Sequence, residues 1–189
     1  MKVFLFFGAP GSGKGTQANL LKDYLKSKGL VYKCLSTGDL IRNFGNNSES
    51  KDSKKTGSIV SVDTIFDLVD SYIEKIKPFD GLIIDGIPRL EAQIKPFLNR
   101  FKPELVFYLK FEKDKEHILH ERVLKRSNRV YDLNENTRNK RLNEFYSLTL
   151  PCFYSFNKKI RHEIKGNQSK EDIFSEVKGL VDKNTGQLL

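Results

Sequence analysis

The sequence has little cysteine, no long apolar run and fewer acidic than basic residues, and each shortage excludes something. Cys34 and Cys152 cannot build a disulfide framework, and their spacing matches no metal-ligand pattern. Cys34 lies in an apolar, strand-like run, so it reads as a buried reduced thiol. No stretch approaches the roughly 20 apolar residues that a membrane helix needs. The opening "MKVFLFF" is too short for a secretory signal and is soon interrupted by Pro10 and Lys14, so a cytoplasmic chain is expected. There are 24 Asp and Glu against 33 Lys and Arg, a net charge of +9 that suits anionic partners, either nucleotides or nucleic acid. Most of the lysines, on this reading, simply solvate the surface.

What is present is an ordinary globular composition, 38% hydrophobic and 30% charged, over 189 residues, enough for one domain spanning 1–189. Five short apolar runs predict strands at 2–8, 32–36, 81–86, 105–111 and, more weakly patterned, 161–165. Helical spacing is expected over 15–29, 61–76, 93–101, 115–126, 134–148 and 169–181, with Ser61 and Ser169 as caps. Ile65, Leu68, Val69, Tyr72 and Ile76 form one apolar stripe. This alternation predicts an α/β fold: a five-stranded parallel sheet with helices on both faces and ligands at the carboxyl ends of the strands. The stretch 43–57 is almost devoid of apolar residues and reads as a mobile or partly disordered excursion.

"GAPGSGKGTQ" (8–17) follows the first strand and opens the first helix. It nearly fits the phosphate-loop pattern G-x-x-x-x-G-K-[ST], but Gly15 stands where a hydroxyl is usual and Thr16 comes one place late. A loop between strand and helix aims backbone N–H groups and the positive helix end at an anion. The competing reading is a plain glycine turn, which the flanking strand, helix and Lys14 disfavour.

With "LSTGDLIR" (35–42), "DGIPR" (85–89), "ERVLKR" (121–126) and "RLNEFYSLTLP" (141–151), the loop resembles the adenylate kinases over nearly the whole chain. The resemblance implies a P-loop fold and reversible transfer of a phosphoryl group from ATP to AMP, with Mg²⁺. It also implies a monophosphate-binding arm at 36–60, a very short lid at 125–135, and a monomer that binds neither nucleic acid nor membrane.

Phosphoryl transfer asks a protein for positioning and cationic stabilisation, so several arginines from different elements should converge. The planar fork of arginine suits phosphate oxygens better than the point charge of lysine does. By the resemblance, Gly11, Ser12, Gly13, Lys14, Gly15 and Thr16 hold ATP together with Arg122, Arg126 and Gln168. The acceptor AMP falls to Thr37, Arg42, Ser58, Ile59, Val60, Gly86, Ile87, Pro88, Arg89, Gln93, Arg129 and Arg141. Lys14, Asp85, Arg89, Arg126, Arg129 and Arg141 carry the catalysis. Arg100, Arg138 and Arg161 match nothing and read as surface.

Asp85 ends a buried apolar run, an expensive place for a carboxylate unless it faces a cation. The expected role is an outer-sphere contact to water on Mg²⁺; a turn cap is the alternative. In the kinases the chain resembles, the metal rests chiefly on phosphates and waters, which accommodates Gly15. Thr37 and Gln93 match the residues that read adenine, and a glutamine can both donate to and accept from a base edge.

Three departures stand out. The arm is several residues shorter than usual and is not expected to form its two packed helices. The lid keeps only Ser127 and Asn128 between Arg126 and Arg129, with no cysteines for zinc. "RVYDLNENT" has one residue too many to align, so the register of Asp132 is open. A kinase for CMP, UMP or dAMP, or a nucleotide-binding protein without turnover, are the alternatives.

Overall fold

The computed structural model describes residues 1–125 and 130–185. Five strands form one parallel sheet in the order β2-β3-β1-β4-β5: β1 (Lys2–Phe7), β2 (Tyr32–Ser36), β3 (Gly81–Asp85), β4 (Lys102–Lys110) and β5 (Arg161–Lys165). β4 starts three residues before the apolar run that signals it, because Lys2 pairs with Lys102 and the Lys102 N–H reaches the Met1 carbonyl at 2.7 Å. Backbone pairing extends the strand where hydrophobicity gives no sign.

Successive strand residues face opposite ways, so "VFLFF" feeds two cores. Val3, Leu5 and Phe7 join one cluster with Leu82, Ile84, Val106, Phe97 and Phe153. Phe4 and Phe6 join the other with Ile83, Phe107, Leu21, Leu25 and Val177. Helices α1 (Lys14–Ser27) and α9 (Lys170–Thr185) cover the second face. α4 (Val62–Ile76) and α5 (Ile94–Arg100), among others, cover the first. The sandwich of helix, sheet and helix expected from the sequence is therefore present.

The arm departs from expectation. The polar stretch forms ordered structure, with α2 (Thr37–Phe44) and α3 (Ser48–Thr56) separated by three residues. Capping replaces a hydrophobic stripe here. Asn47 accepts from the Ser50 N–H at 2.8 Å, and Gly57 closes the helix at φ 75° with its N–H on the Ser53 carbonyl. Small residues let α3 approach α2: Ser50 is fully buried, and a Cβ on Gly45 would lie 2.5 Å from that of Ser50. Glu49 then ties α3 to the start of α4, accepting from the Ser61 N–H and from the Ser61 and Thr64 hydroxyls at 2.8 and 2.6 Å.

The remaining helices are α6 (Glu116–Lys125), α7 (Glu135–Glu144) and α8 (Leu150–Tyr154). A π-helical turn, Phe145–Thr149, joins α7 to α8 just before Pro151, which lacks the N–H a regular helix would use.

Candidate functional site

The sheet register places the site. Asp85, the last residue of β3, lies level with Phe6 of β1 and Ser36 of β2. The carboxyl ends of three strands thus bring the glycine loop, the start of the arm and Asp85 side by side. Gly11 and Gly13 take φ of 86° and 95°, and a Cβ on Gly11 would sit 2.4 Å from the Leu119 carbonyl. Only glycine fits that turn. Lys14 curls back over the loop it closes, donating to the carbonyls of Gly8 (2.6 Å) and Ala9 (3.1 Å), with Asp85 at 3.9 Å.

On the other side of Asp85 the chain turns through Gly86 (φ 98°) into a cis Ile87–Pro88 bond. The Gly86 carbonyl accepts from the Thr37 hydroxyl (2.9 Å) and from Arg89 Nε (2.8 Å). Gln93, 2% exposed, accepts on Oε1 from the N–H groups of Arg89 (2.7 Å) and Leu90 (3.4 Å). Thr149 donates to the Arg89 carbonyl at 3.2 Å. Arg89 is therefore fixed by the turn after β3, by Gln93 and by the π-helical turn.

Arg141 approaches from α7. It forms an ion pair with Asp132 in which the side chains are 12% and 5% exposed, and its guanidinium stands 5.2 Å from the Tyr131 ring centre. Arg42, on α2, pairs with Asp39. Lys14, Asp85, Ile59, Arg89 and Arg141 line one cleft of ≈ 800 Å³, open mouth included, together with the 86–88 turn. A neighbouring pocket of ≈ 350 Å³ is lined by Arg42, Lys54, Arg89, Tyr131 and Arg141. Four cations thus meet there from three helices and a turn.

Arg122 of α6 lies over Phe111 at 5.3 Å and donates to the Gly166 carbonyl at 3.4 Å. Gln168, two residues on, bonds Lys165 and Glu176. These two expected ATP contacts share one corner beyond β5, away from Arg42 and Arg89. Gly15 and Thr16 line a separate groove that also reaches Asp85.

Ser12, Thr37, Val60 and Gln93 are buried behind the walls and do not line the cleft. Ser58 uses its carbonyl to accept from Ser53 at 2.6 Å. Arg126 and Arg129, like Ser127 and Asn128, lie outside the described residues. Arg138 is not a surface arginine: it donates to the carbonyls of Asp132 and Leu133, both at 2.9 Å, and its Nε is buried with no hydrogen-bond partner among the described residues. Its place three residues before Arg141 on α7 was the signal for it. Tyr131 and Lys54 were also missed; Tyr131 is part of the stretch that resists alignment.

Among the described residues no three His, Cys, Asp or Glu gather as metal ligands. Asp85, partly exposed in the cleft, fits a metal that a bound polyphosphate and its waters hold, with one protein carboxylate facing the water shell.

A parallel sheet with a glycine loop, a lysine folded over it and arginines converging at the strand ends defines an α/β protein of the P-loop type, built to hold nucleotide phosphates. Comparison with known proteins narrows the class. A family model described as Adenylate kinase matches residues 6–161. The chain is 33% identical to adenylate kinase isoenzyme 1 of Homo sapiens, over 93% of this chain and 92% of that one. It is 32% identical to the adenylate kinase of Trichodesmium erythraeum, with 98% and 100% covered. Identity to the Parabacteroides distasonis adenylate kinase is 33%, over 94% and 96%. The chain belongs to the adenylate kinase family.

Proposed function

We propose that the protein is an ATP-dependent nucleoside monophosphate kinase that moves the terminal phosphoryl group of ATP to AMP, giving two ADP. The carrying observation is that Lys14, Arg89, Arg141 and Asp85 meet in one cleft at the carboxyl end of the sheet.

An oxygen of the AMP phosphate attacks the γ-phosphorus, and the bond from that phosphorus to the β,γ-bridging oxygen breaks, releasing ADP. The attacking oxygen is already ionised near neutral pH, so no general base is needed. What opposes the reaction is the approach of two anions, and the cations of the cleft answer it. Arg42 and Arg89 hold the acceptor phosphate, while Lys14 and the loop N–H groups from Gly11 to Thr16 hold the donor phosphates. Arg141, beside Arg89 in both pockets, holds the acceptor phosphate with it and reaches the moving group from that side. Arg122, beside Gly166 and Gln168, suits the adenine of ATP. Arg126 and Arg129 keep the roles that the resemblance implies. Magnesium bound to the ATP phosphates would neutralise their oxygens, and Asp85 would be the carboxylate that faces its water shell.

Thr37 and Gln93 favour AMP over other acceptors. Gln93 Oε1 is committed to the Arg89 and Leu90 N–H groups, which leaves its Nε2 as the donor for a base nitrogen. The ordered arm, with Gly57 to Val60 running beside the cleft, supports the same choice. The same proposal has the protein act as a monomer on free nucleotides.

A coupled assay of ATP with AMP, CMP, UMP, GMP and dAMP tests this. AMP should be the fastest acceptor, and Lys14→Ala should lower the rate by about 10²–10³. If no monophosphate yields ADP above the Lys14→Ala background, the kinase reading fails.

A further inference from the structure

Arg141 is held on three sides. Asp132 takes its charge, and the Tyr131 ring lies 5.2 Å from its guanidinium carbon. The third side is the arm: a Cβ placed on Gly57 would come within 3.1 Å of Arg141 Cδ and 3.3 Å of Tyr131 Cε2. Gly57 sits at φ 75°, where a side chain is strained as well as crowded. Tyr131 also lines the smaller pocket, the one aromatic side chain among its described lining, opposite Arg42, Lys54 and Arg89.

We infer that Tyr131 is a positioning residue for the acceptor phosphate: it seats Arg141 between the ring and the end of α3. The reasoning rests on the proposed kinase function. An arginine beside three other cations is repelled from the place where it must wait. The Asp132 carboxylate offsets the charge but engages the guanidinium through Nη1. A ring against the guanidinium supplies attraction without using an N–H donor, so the other donors stay available to a phosphate. Because α3 ends against the same ring, the arm and Arg141 share one support. Arg122 and Gln168 share none of these contacts, so the effect should fall on the acceptor and spare ATP.

The test compares wild type with Tyr131→Leu, which keeps apolar bulk but removes the ring face, and Tyr131→Phe, which restores the face. Initial rates are measured with AMP varied at saturating ATP and with ATP varied at saturating AMP. AMP binding is titrated calorimetrically and thermal midpoints are recorded on the same preparations. The Leu variant should raise the KM and Kd for AMP on the order of three- to thirtyfold, leave the KM for ATP unchanged, and keep the wild-type midpoint. Tyr131→Phe should restore AMP binding. The inference is overturned if the Leu variant binds AMP like wild type, if both KM values rise together with a lowered midpoint, or if Phe fails to rescue. A wild type that binds AMP but forms no ADP would sink the kinase reading, while the calorimetric comparison would still decide for or against Tyr131.

Discussion

Removing the Asp132 carboxylate asks whether Arg141 depends on a buried ion pair. The two side chains are 5% and 12% exposed, so the pair is nearly dry. Deleting one partner of such a pair leaves an uncompensated charge and costs about 3–5 kcal/mol. Arg141 borders an open cleft, however, and water can reach part of the exposed guanidinium once the carboxylate is gone. A smaller loss, about 2–3 kcal/mol, is therefore expected for Asp132→Ala. For a chain of this size each kcal/mol moves the thermal midpoint by about 2–4 °C. The midpoint should fall by roughly 5–10 °C. Asp132→Asn keeps an acceptor oxygen and loses the charge, so its fall should be smaller. The Arg138 bonds to the Asp132 and Leu133 carbonyls are made to backbone and survive both changes. Thermal unfolding followed by circular dichroism, on both single alanine variants of the pair and on the double variant, gives the coupling directly. The double variant should be less damaged than the sum of the singles by about 1–3 kcal/mol. Strictly additive losses, or an Asp132→Ala midpoint equal to wild type, would refute the reasoning.

Other consequences follow from the same contacts. Glu49 is held below the ordinary glutamate range, first by the Thr64 hydroxyl and then by Ser61. A carboxylate depressed on folding stabilises above its unfolded value, near 4.3, and loses that contribution as pH falls through its folded value. The midpoint gap between wild type and Glu49→Gln should thus be full at pH 6 and close below about pH 4; a gap independent of pH would remove Glu49 as an arm clasp. Gln93→Ala should weaken AMP more than CMP in steady-state assays, with a shared loss from the freed Arg89 N–H. Equal losses would confine Gln93 to supporting Arg89. Burial pushes both thiols, Cys34 and Cys152, up to about 11. Iodoacetamide labelling of the native protein at pH 7 should run at least about tenfold slower than for a free thiol; labelling at the free-thiol rate would contradict this.

The sheet was legible because its strands are buried on both faces and read as unbroken apolar runs, "VFLFF" and "LVFYL" most clearly. The phosphate loop was legible because glycine is demanded there by φ and by the Leu119 carbonyl, which no other residue satisfies. The arm was misread for an equally physical reason. α3 buries Ser50 and Ser53 and is fixed by Asn47, Glu49 and Gly57, so its stability lies in caps and close approach and leaves no periodic hydrophobic trace. Arg138 was misread because nothing local separates an exposed helix arginine from one folded onto the carbonyls of a preceding turn. Gln93 is a local matter instead: its Oε1 folds back on the Arg89 and Leu90 N–H groups just ahead of it, a capping role that a reading of the residue as an adenine contact leaves out.

The arrangement also answers a problem that the net charge raises. Lys14, Arg42, Lys54, Arg89 and Arg141 crowd the two pockets, and bare like charges at that spacing would repel one another. Each has an acceptor close by. Arg42 has Asp39, Arg141 has Asp132, Arg89 has the Gly86 carbonyl, Lys54 the Gly45 carbonyl, and Lys14 the carbonyls of its own loop with Asp85 beyond. At Arg42, Lys54 and Arg141 a single carboxylate or carbonyl engages only part of the cation's donors, whereas a phosphate offers several oxygens at full charge. At those three side chains an arriving nucleotide can therefore add its oxygens without first breaking the contacts that aim them, whereas at Lys14 phosphate oxygens take the place of the loop acceptors. The cations are oriented before any phosphate binds, which is the condition under which fixed charge lowers a barrier most.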